Sequence, residues 1–160
     1  GKIMIALIAL GLALGALGYA SKWSQVGLLN SVDALMSFGV PAEKVDSGVA
    51  FGPLARQKLD IWAPAIPAKG PRDVVVFFYG GSWNSGDREL YGFVGRALAA
   101  RGYIVVLPDY RLVPEVRYPG FVEDGAAAVA WVERNIGRYG GNPARITYPG
   151  IRRARILLLF

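Results

Sequence analysis

The stretch from Val74 through Val75, Val76, Phe77, Phe78 and Tyr79 to Gly80, Gly81, Ser82 and Trp83 constrains this chain more than any other. An apolar run rich in β-branched residues reads as a strand buried on both faces, and such strands belong to sheets covered on both sides. The run stops at two glycines. With no Cβ in the way, the backbone there can turn sharply and aim consecutive N–H groups at one point, the arrangement that receives an oxyanion developing during acyl transfer.

The segments around this strand give the expected architecture. Val45 to Phe51 and Gln57 to Trp62 read as two short strands of a hairpin turning at Gly52-Pro53, and Pro64, Pro67, Gly70 and Pro71 mark the loop into the glycine-bearing strand. Leu90 to Ala100 places Phe93, Val94, Ala97 and Leu98 on one helical face, with Gly102 as the cap. Tyr103 to Leu107 is the next buried strand. Phe121 to Ile136 is a long alanine-rich helix carrying Val129, Trp131 and Val132. The turn Gly140-Gly141-Asn142-Pro143 then leads to a strand starting near Arg145. Alternating strands and helices predict an α/β fold, a doubly wound, mostly parallel sheet with helices on both faces.

Upstream, Lys2 precedes an uncharged run rich in alanine, leucine and glycine from Ile3 to Ala20, which reads as a hydrophobic leader helix: a signal peptide cleaved before Ser21, or a membrane anchor through residues 3–20 if uncleaved. The expected location is exported, either periplasmic or extracellular, or anchored to the membrane. Residues 21–44 read as a linker whose Leu28, Leu29, Val32, Leu35 and Met36 have the spacing of a short amphipathic helix, ended by Gly39 and Pro41. Residues 45–150 make the partial catalytic-type domain, and residues 151–160 a basic-apolar tail.

Composition narrows the function. Absent cysteine excludes disulfides and thiolate metal sites, and neither a metal nor another cofactor is expected. The net charge of +6 does not imply nucleic acid, because Arg152, Arg153 and Arg155 lie in the tail and the other basic residues are scattered among acids.

Four motifs then stand in order: Leu59-Asp60-Ile61-Trp62-Ala63-Pro64, Tyr79-Gly80-Gly81-Ser82-Trp83, Pro108-Asp109-Tyr110-Arg111 and Gly140-Gly141-Asn142-Pro143-Ala144-Arg145-Ile146. Over residues 45–150 the chain resembles carboxylesterases of the α/β-hydrolase fold, near the hormone-sensitive-lipase and feruloyl-esterase-like branches. The resemblance implies a small ester substrate and an oxyanion held by the backbone amides of Gly80, Gly81 and Ser82, with Asp109, Tyr110 and Arg111 bracing the loop. Tyr79 stands where the family's loop motif usually has histidine.

The resemblance also implies parts that these residues do not supply. The composition contains His 0, so no Ser-His-Asp triad can be assembled from them. The family's nucleophile would follow the strand at Ile146, on a turn of the form Gly-x-Ser-x-Gly, but the sequence there reads Gly150-Ile151-Arg152-Arg153-Ala154. Restoring one base at the Gly150 codon permits the reading Gly-His-Ser-Ala-Gly, so the tail is expected to be a frameshift after Gly150 in the N-terminal part of a longer esterase. The expected function is a serine esterase lineage, inactive in this chain. The alternative is a non-catalytic, membrane-associated binding module on a partial hydrolase fold, with a genuine tail.

Overall fold

The computed structural model describes residues 41–80 and 86–149. The leader at 3–20, the helix expected within 21–40, Gly81, Ser82 and the tail at 151–160 lie outside them. In chain order the described elements are β1 (Ala42–Ala50), β2 (Lys58–Pro64), β3 (Arg72–Val76), α1 (Gly92–Ala99), β4 (Ile104–Pro108), α2 (Gly120–Asn135), a 3-10 turn (Ile136–Tyr139) and β5 (Gly141–Thr147). The strands form one sheet in the order β1-β2-β4-β3-β5.

The sheet is mixed. β3 runs parallel to β4 and β5, with Val75 opposite both Val105 and Thr147, whereas β2 runs antiparallel to β1 and β4, with Ile61 opposite Asp46 and Val106. The parallel expectation therefore holds for β4-β3-β5, and β1 and β2 form the expected antiparallel hairpin; the departure from a mostly parallel sheet is β2 seated antiparallel beside β4. The short Phe51-to-Gln57 connection, closed by Phe51 N–H donating to Gln57 O at 2.9 Å, permits only an antiparallel return. β1 begins at Ala42, inside the segment expected to be linker, because Ala42, Glu43 and Lys44 pair with Pro64, Ala63 and Trp62. β5 begins at Gly141 rather than near Arg145. Its register slips between Arg72 and Val74, the Asn142 side chain accepts from Ala144 N–H at 2.9 Å, and regular pairing starts at Ile146.

Period-two alternation sorts the core onto two faces. Leu59, Ile61, Val74, Val76, Ile104 and Val106 pack with Val132 and Ile136 beneath α2 and the 3-10 turn, while Trp62, Val105 and Leu107 pack with Ala99 of α1. The face α1 buries matches the expected one only in part: Leu98 packs partly buried against this core, whereas Phe93, Val94 and Ala97 are not among the helix's buried residues. Gly92, Gly95 and Ala99 turn inward, and Ala97 is exposed. The reason is close approach: a Cβ on Gly95 would lie 2.4 Å from Trp62 Cδ1, so only the helix's smallest residues fit against that indole. Among the described residues, no helix is long and apolar enough to cross a membrane.

Candidate functional site

The chain leaves the sheet at the carboxyl end of β3. Phe77 N–H still donates to Val106 O at 2.9 Å, Tyr79 is buried, and Gly80 is exposed. Asp109 and Tyr110 leave the neighbouring parallel strand β4 at the same end. Ligands of open α/β sheets bind at this edge, beyond the carboxyl ends of the strands.

Tyr79 turns its ring inward. Its hydroxyl donates to Asp109 Oδ1 at 2.6 Å and accepts from Arg56 Nη2 at 3.0 Å, and the ring stacks on Tyr110 at 4.9 Å and on Tyr91 at 5.2 Å between centroids. Burial, followed by the Asp109 charge, pushes the Tyr79 phenol far above its ordinary value. Burial pushes Tyr110 up to about 12, so both phenols stay neutral donors at physiological pH. The phenol at position 79 is thus an anchor for the loop stem.

The backbone of that stem is fixed as well. Tyr110 Oη donates to Tyr79 O at 2.8 Å, and Tyr91 Oη lies 3.5 Å from Gly80 O. A trans peptide is planar, so holding the Tyr79 carbonyl directs the Gly80 N–H the opposite way. Among the described residues, a Cβ built on Gly80 would meet nothing within 4 Å.

Beneath the stem lies a buried ionic network. Arg88 bridges two carboxylates: its Nε donates to Asp60 Oδ1 at 2.8 Å, its Nη1 pairs with Asp109 Oδ2, and its backbone N–H donates to Asp109 Oδ1 at 2.9 Å. Asp60 is fully buried and Asp109 is 3% exposed. Asp60 also receives Gly48 N–H at 2.8 Å, Ser47 Oγ at 3.0 Å and Lys44 Nζ at 3.0 Å. Burial alone would raise the Asp60 carboxyl; the Gly48 amide, Lys44 and Arg88 outweigh it and hold the group below its ordinary value. Burial likewise pulls on Arg88, but Asp60 and Asp109 keep its guanidinium firmly protonated.

Arg56, in the β1–β2 connection, ties the stem to its surroundings. Nε donates to Tyr110 O at 2.9 Å, and Nη2 donates both to Tyr79 Oη and to Gly86 O at 2.8 Å. Gly86 has φ +119°, and a Cβ there would fall 2.3 Å from Tyr79 Cε2, so glycine is required on both counts.

Of the residues singled out in the sequence, Gly80, Tyr79, Asp109 and Tyr110 therefore lie together. Arg111 does not join them. It forks onto Asp124 of α2, with Nη2 at 2.8 Å from Oδ1, Nε at 2.9 Å from Oδ2 and its backbone N–H at 2.8 Å from Oδ2, while Gln57 Nε2 donates to Asp124 Oδ1 at 3.0 Å. Arg111 thus fixes the loop after β4 to α2, and its pairing holds the buried Asp124 below its ordinary pKa against the opposing pull of burial. Arg56, Asp60 and Arg88 were not assigned roles from sequence. Asp60 carried a signal, a carboxylate inside the apolar run Leu59 to Trp62, which demands a buried cation. Among the described residues no cluster of His, Cys, Asp and Glu is placed to hold a metal ion.

A family model described as BD-FAE matches residues 59–152, more than half of the chain. A probable isoprenylcysteine alpha-carbonyl methylesterase of Oryza sativa subsp. japonica is 37% identical over 109 residues, covering 68% of this chain and 25% of that protein. Carboxylesterase NlhH of Mycobacterium tuberculosis is 41% identical over 90 residues, covering 56% of this chain and 28% of that protein. The chain thus spans about a quarter of the length of the curated relatives it matches. In structure it is similar to esterase B from Lactobacillus rhamnosis, with a TM-score of 0.64 at 22% identity, covering 86% of this chain and 45% of that one. It also resembles a bacterial heroin esterase, with a TM-score of 0.59 at 23% identity, covering 76% and 40% of the two chains. At these identities the structural likeness establishes the α/β-hydrolase fold alone.

Proposed function

Since this chain belongs to the BD-FAE family, in the carboxylesterase lineage of the α/β-hydrolase fold, we propose that it carries the oxyanion-stabilising half of a serine esterase centre. The observation that carries the reading is the exposed Gly80 backbone at the carboxyl end of β3, with Tyr79 pinned behind it by Asp109, Arg56 and Tyr110. In the reaction a serine hydroxyl passes its proton to a general base as its oxygen bonds to the carbonyl carbon of a small ester, and the carbonyl π electrons move onto oxygen. The amides of Gly80, Gly81 and Ser82 donate to that oxyanion; the alcohol leaves when the carbonyl re-forms, its departing oxygen taking the same proton, and water then releases the acid. Loss of one such donor costs about 100- to 1,000-fold in rate elsewhere, which is why a stem held at several atoms matters.

The activating half is not provided by these 160 residues, which contain no histidine. The chain by itself is accordingly inactive, and the tail after Gly150 is a shifted reading of the nucleophile turn. Residues 3–20 direct export or anchor the protein to a membrane. Hydrolysis of p-nitrophenyl butyrate by the purified chain tests the first point: the expected rate equals that of a denatured control, and turnover abolished by a serine-directed phosphonate contradicts it. The DNA beyond the Phe160 codon tests the second. A one-base insertion at the Gly150 codon is expected to open a frame encoding Gly-His-Ser-Ala-Gly and then, downstream, an acidic residue and a histidine in that order; an early stop in that frame contradicts it.

A further inference from the structure

We propose that Arg56 is a positioning residue for the Gly80 backbone, acting through a three-acceptor fork that joins the two stems flanking residues 81–85. The proposal rests on the oxyanion reading of Gly80.

Arg56 stands on the β1–β2 connection, apart in sequence from everything it holds. Its Nη2 donates on one side to the Tyr79 hydroxyl at 3.0 Å and on the other to the Gly86 carbonyl at 2.8 Å, and its Nε donates to the Tyr110 carbonyl at 2.9 Å. Tyr79 precedes Gly80 directly, and Gly86 begins the second stem. Tyr110 is the residue whose hydroxyl holds the Tyr79 carbonyl at 2.8 Å. One guanidinium therefore fixes the ring of Tyr79, the backbone of the residue that orients the Gly80 peptide, and the far stem. The Gly86 contact is sterically exacting as well, because that glycine packs directly on the Tyr79 ring.

A simpler role is open to the same side chain. Arg56 Nη2 lies 3.9 Å from Asp109 Oδ1, so it could serve only as a positive charge beside a buried carboxylate. The two roles separate chemically. Lysine keeps the charge but offers a compact ammonium, which cannot reproduce planar donors from both Nε and Nη2. A fork that positions backbone is lost in Arg56→Lys; a charge partner is preserved.

The experiment uses the 160-residue chain labelled with 15N, with Arg56→Lys, Arg56→Met and, as a control, Tyr139→Phe, which removes the remote bond from Tyr139 Oη to Asp46 at 2.8 Å. Amide shifts of Gly80 and Gly86 are recorded, then followed during titration with butyrate, a carboxylate probe of the Gly80 N–H. Both Arg56 variants are expected to move the Gly80 and Gly86 signals and to weaken butyrate binding at Gly80 by about tenfold, with the control at parent values. Should Arg56→Met fail to fold, Arg56→Lys alone decides. Parent-like shifts in Arg56→Lys, or shifts no larger than those of Tyr139→Phe, overturn the proposal. If the parent's Gly80 ignores butyrate, the oxyanion reading fails, while the shift comparison still decides whether Arg56 positions the stems.

Discussion

Arg88→Met should be among the most damaging single substitutions in the described core, and its cost follows from what it strands. Arg88 lies between Asp60, fully buried, and Asp109, 3% exposed. Removing one partner of a buried ion pair costs about 3–5 kcal/mol, chiefly because a charge stays buried without compensation. Here neither carboxylate is left bare. Asp60 keeps Lys44, Ser47 and Gly48, and Asp109 keeps the Tyr79 hydroxyl and the backbone N–H of residue 88. The lower end of the range, about 3 kcal/mol, is therefore expected. With an m-value of about 1.5 kcal/mol/M, the urea midpoint should fall by about 2 M, read through tryptophan fluorescence with the buried Trp62 as reporter. Adding Asp60→Asn removes one of the two stranded charges. The double variant should then be more stable than the sum of the singles by about 1.5 kcal/mol or more. Costs that add to within about 0.5 kcal/mol would refute the argument, since additivity means the two groups do not compensate each other.

Gly86→Ala should destabilise by about 2–3 kcal/mol, because it combines positive-φ strain with a clash against the Tyr79 ring; a change below about 0.5 kcal/mol in urea unfolding would mean that Gly86 does not pack as described. Gly95→Ala should push α1 off the sheet and shift the Trp62 emission, whereas unchanged emission and stability would contradict the tight helix–indole approach. Acid should unfold the protein by a predictable route. Asp60 and Asp124 titrate below the ordinary value of 3.8 in the folded state, so their stabilisation is complete above that pH and is lost as pH falls through the lower folded values. Stability measured between pH 7 and 2 should drop mainly below about pH 4, with a shallower drop in Asp60→Asn; an identical acid profile for that variant would count against the assignment. Fusing residues 1–25 to a reporter active only after export should give signal, and a reporter retained in the cytoplasm would remove the export proposal.

The apolar alternation of Leu59 to Ala63, Val74 to Val76 and Ile104 to Leu107 made the sheet and its two covered faces legible in the sequence, because burial on both sides leaves few other ways to satisfy those residues. The face of α1 was legible only in part. Helical periodicity favours Phe93, Val94, Ala97 and Leu98, of which Leu98 packs against the core, and only the position of Trp62 makes Gly92, Gly95 and Ala99 the buried ones. The antiparallel seating of β2 beside β4 was hidden for a similar reason, since strand order is settled by packing between distant segments. At the site, the glycines after β3 announced themselves locally. The cations that hold the stem did not: Arg56 and Arg88 reach Tyr79 and Asp109 from other loops, and no local pattern distinguishes them from the remaining arginines. Arg111 misled in the opposite sense, standing next to Tyr110 in sequence yet turning to Asp124 and α2.

Whether the Gly80 N–H faces a developing negative charge is decided by its own resonance. In the 15N-labelled chain, titration with butyrate should move the Gly80 amide proton downfield in a saturable way, as expected when a carboxylate oxygen accepts its hydrogen bond, while n-butanol at the same concentrations leaves it in place. A Gly80 amide unmoved by butyrate, or moved equally by n-butanol, would contradict the assignment of an oxyanion-binding edge to this chain.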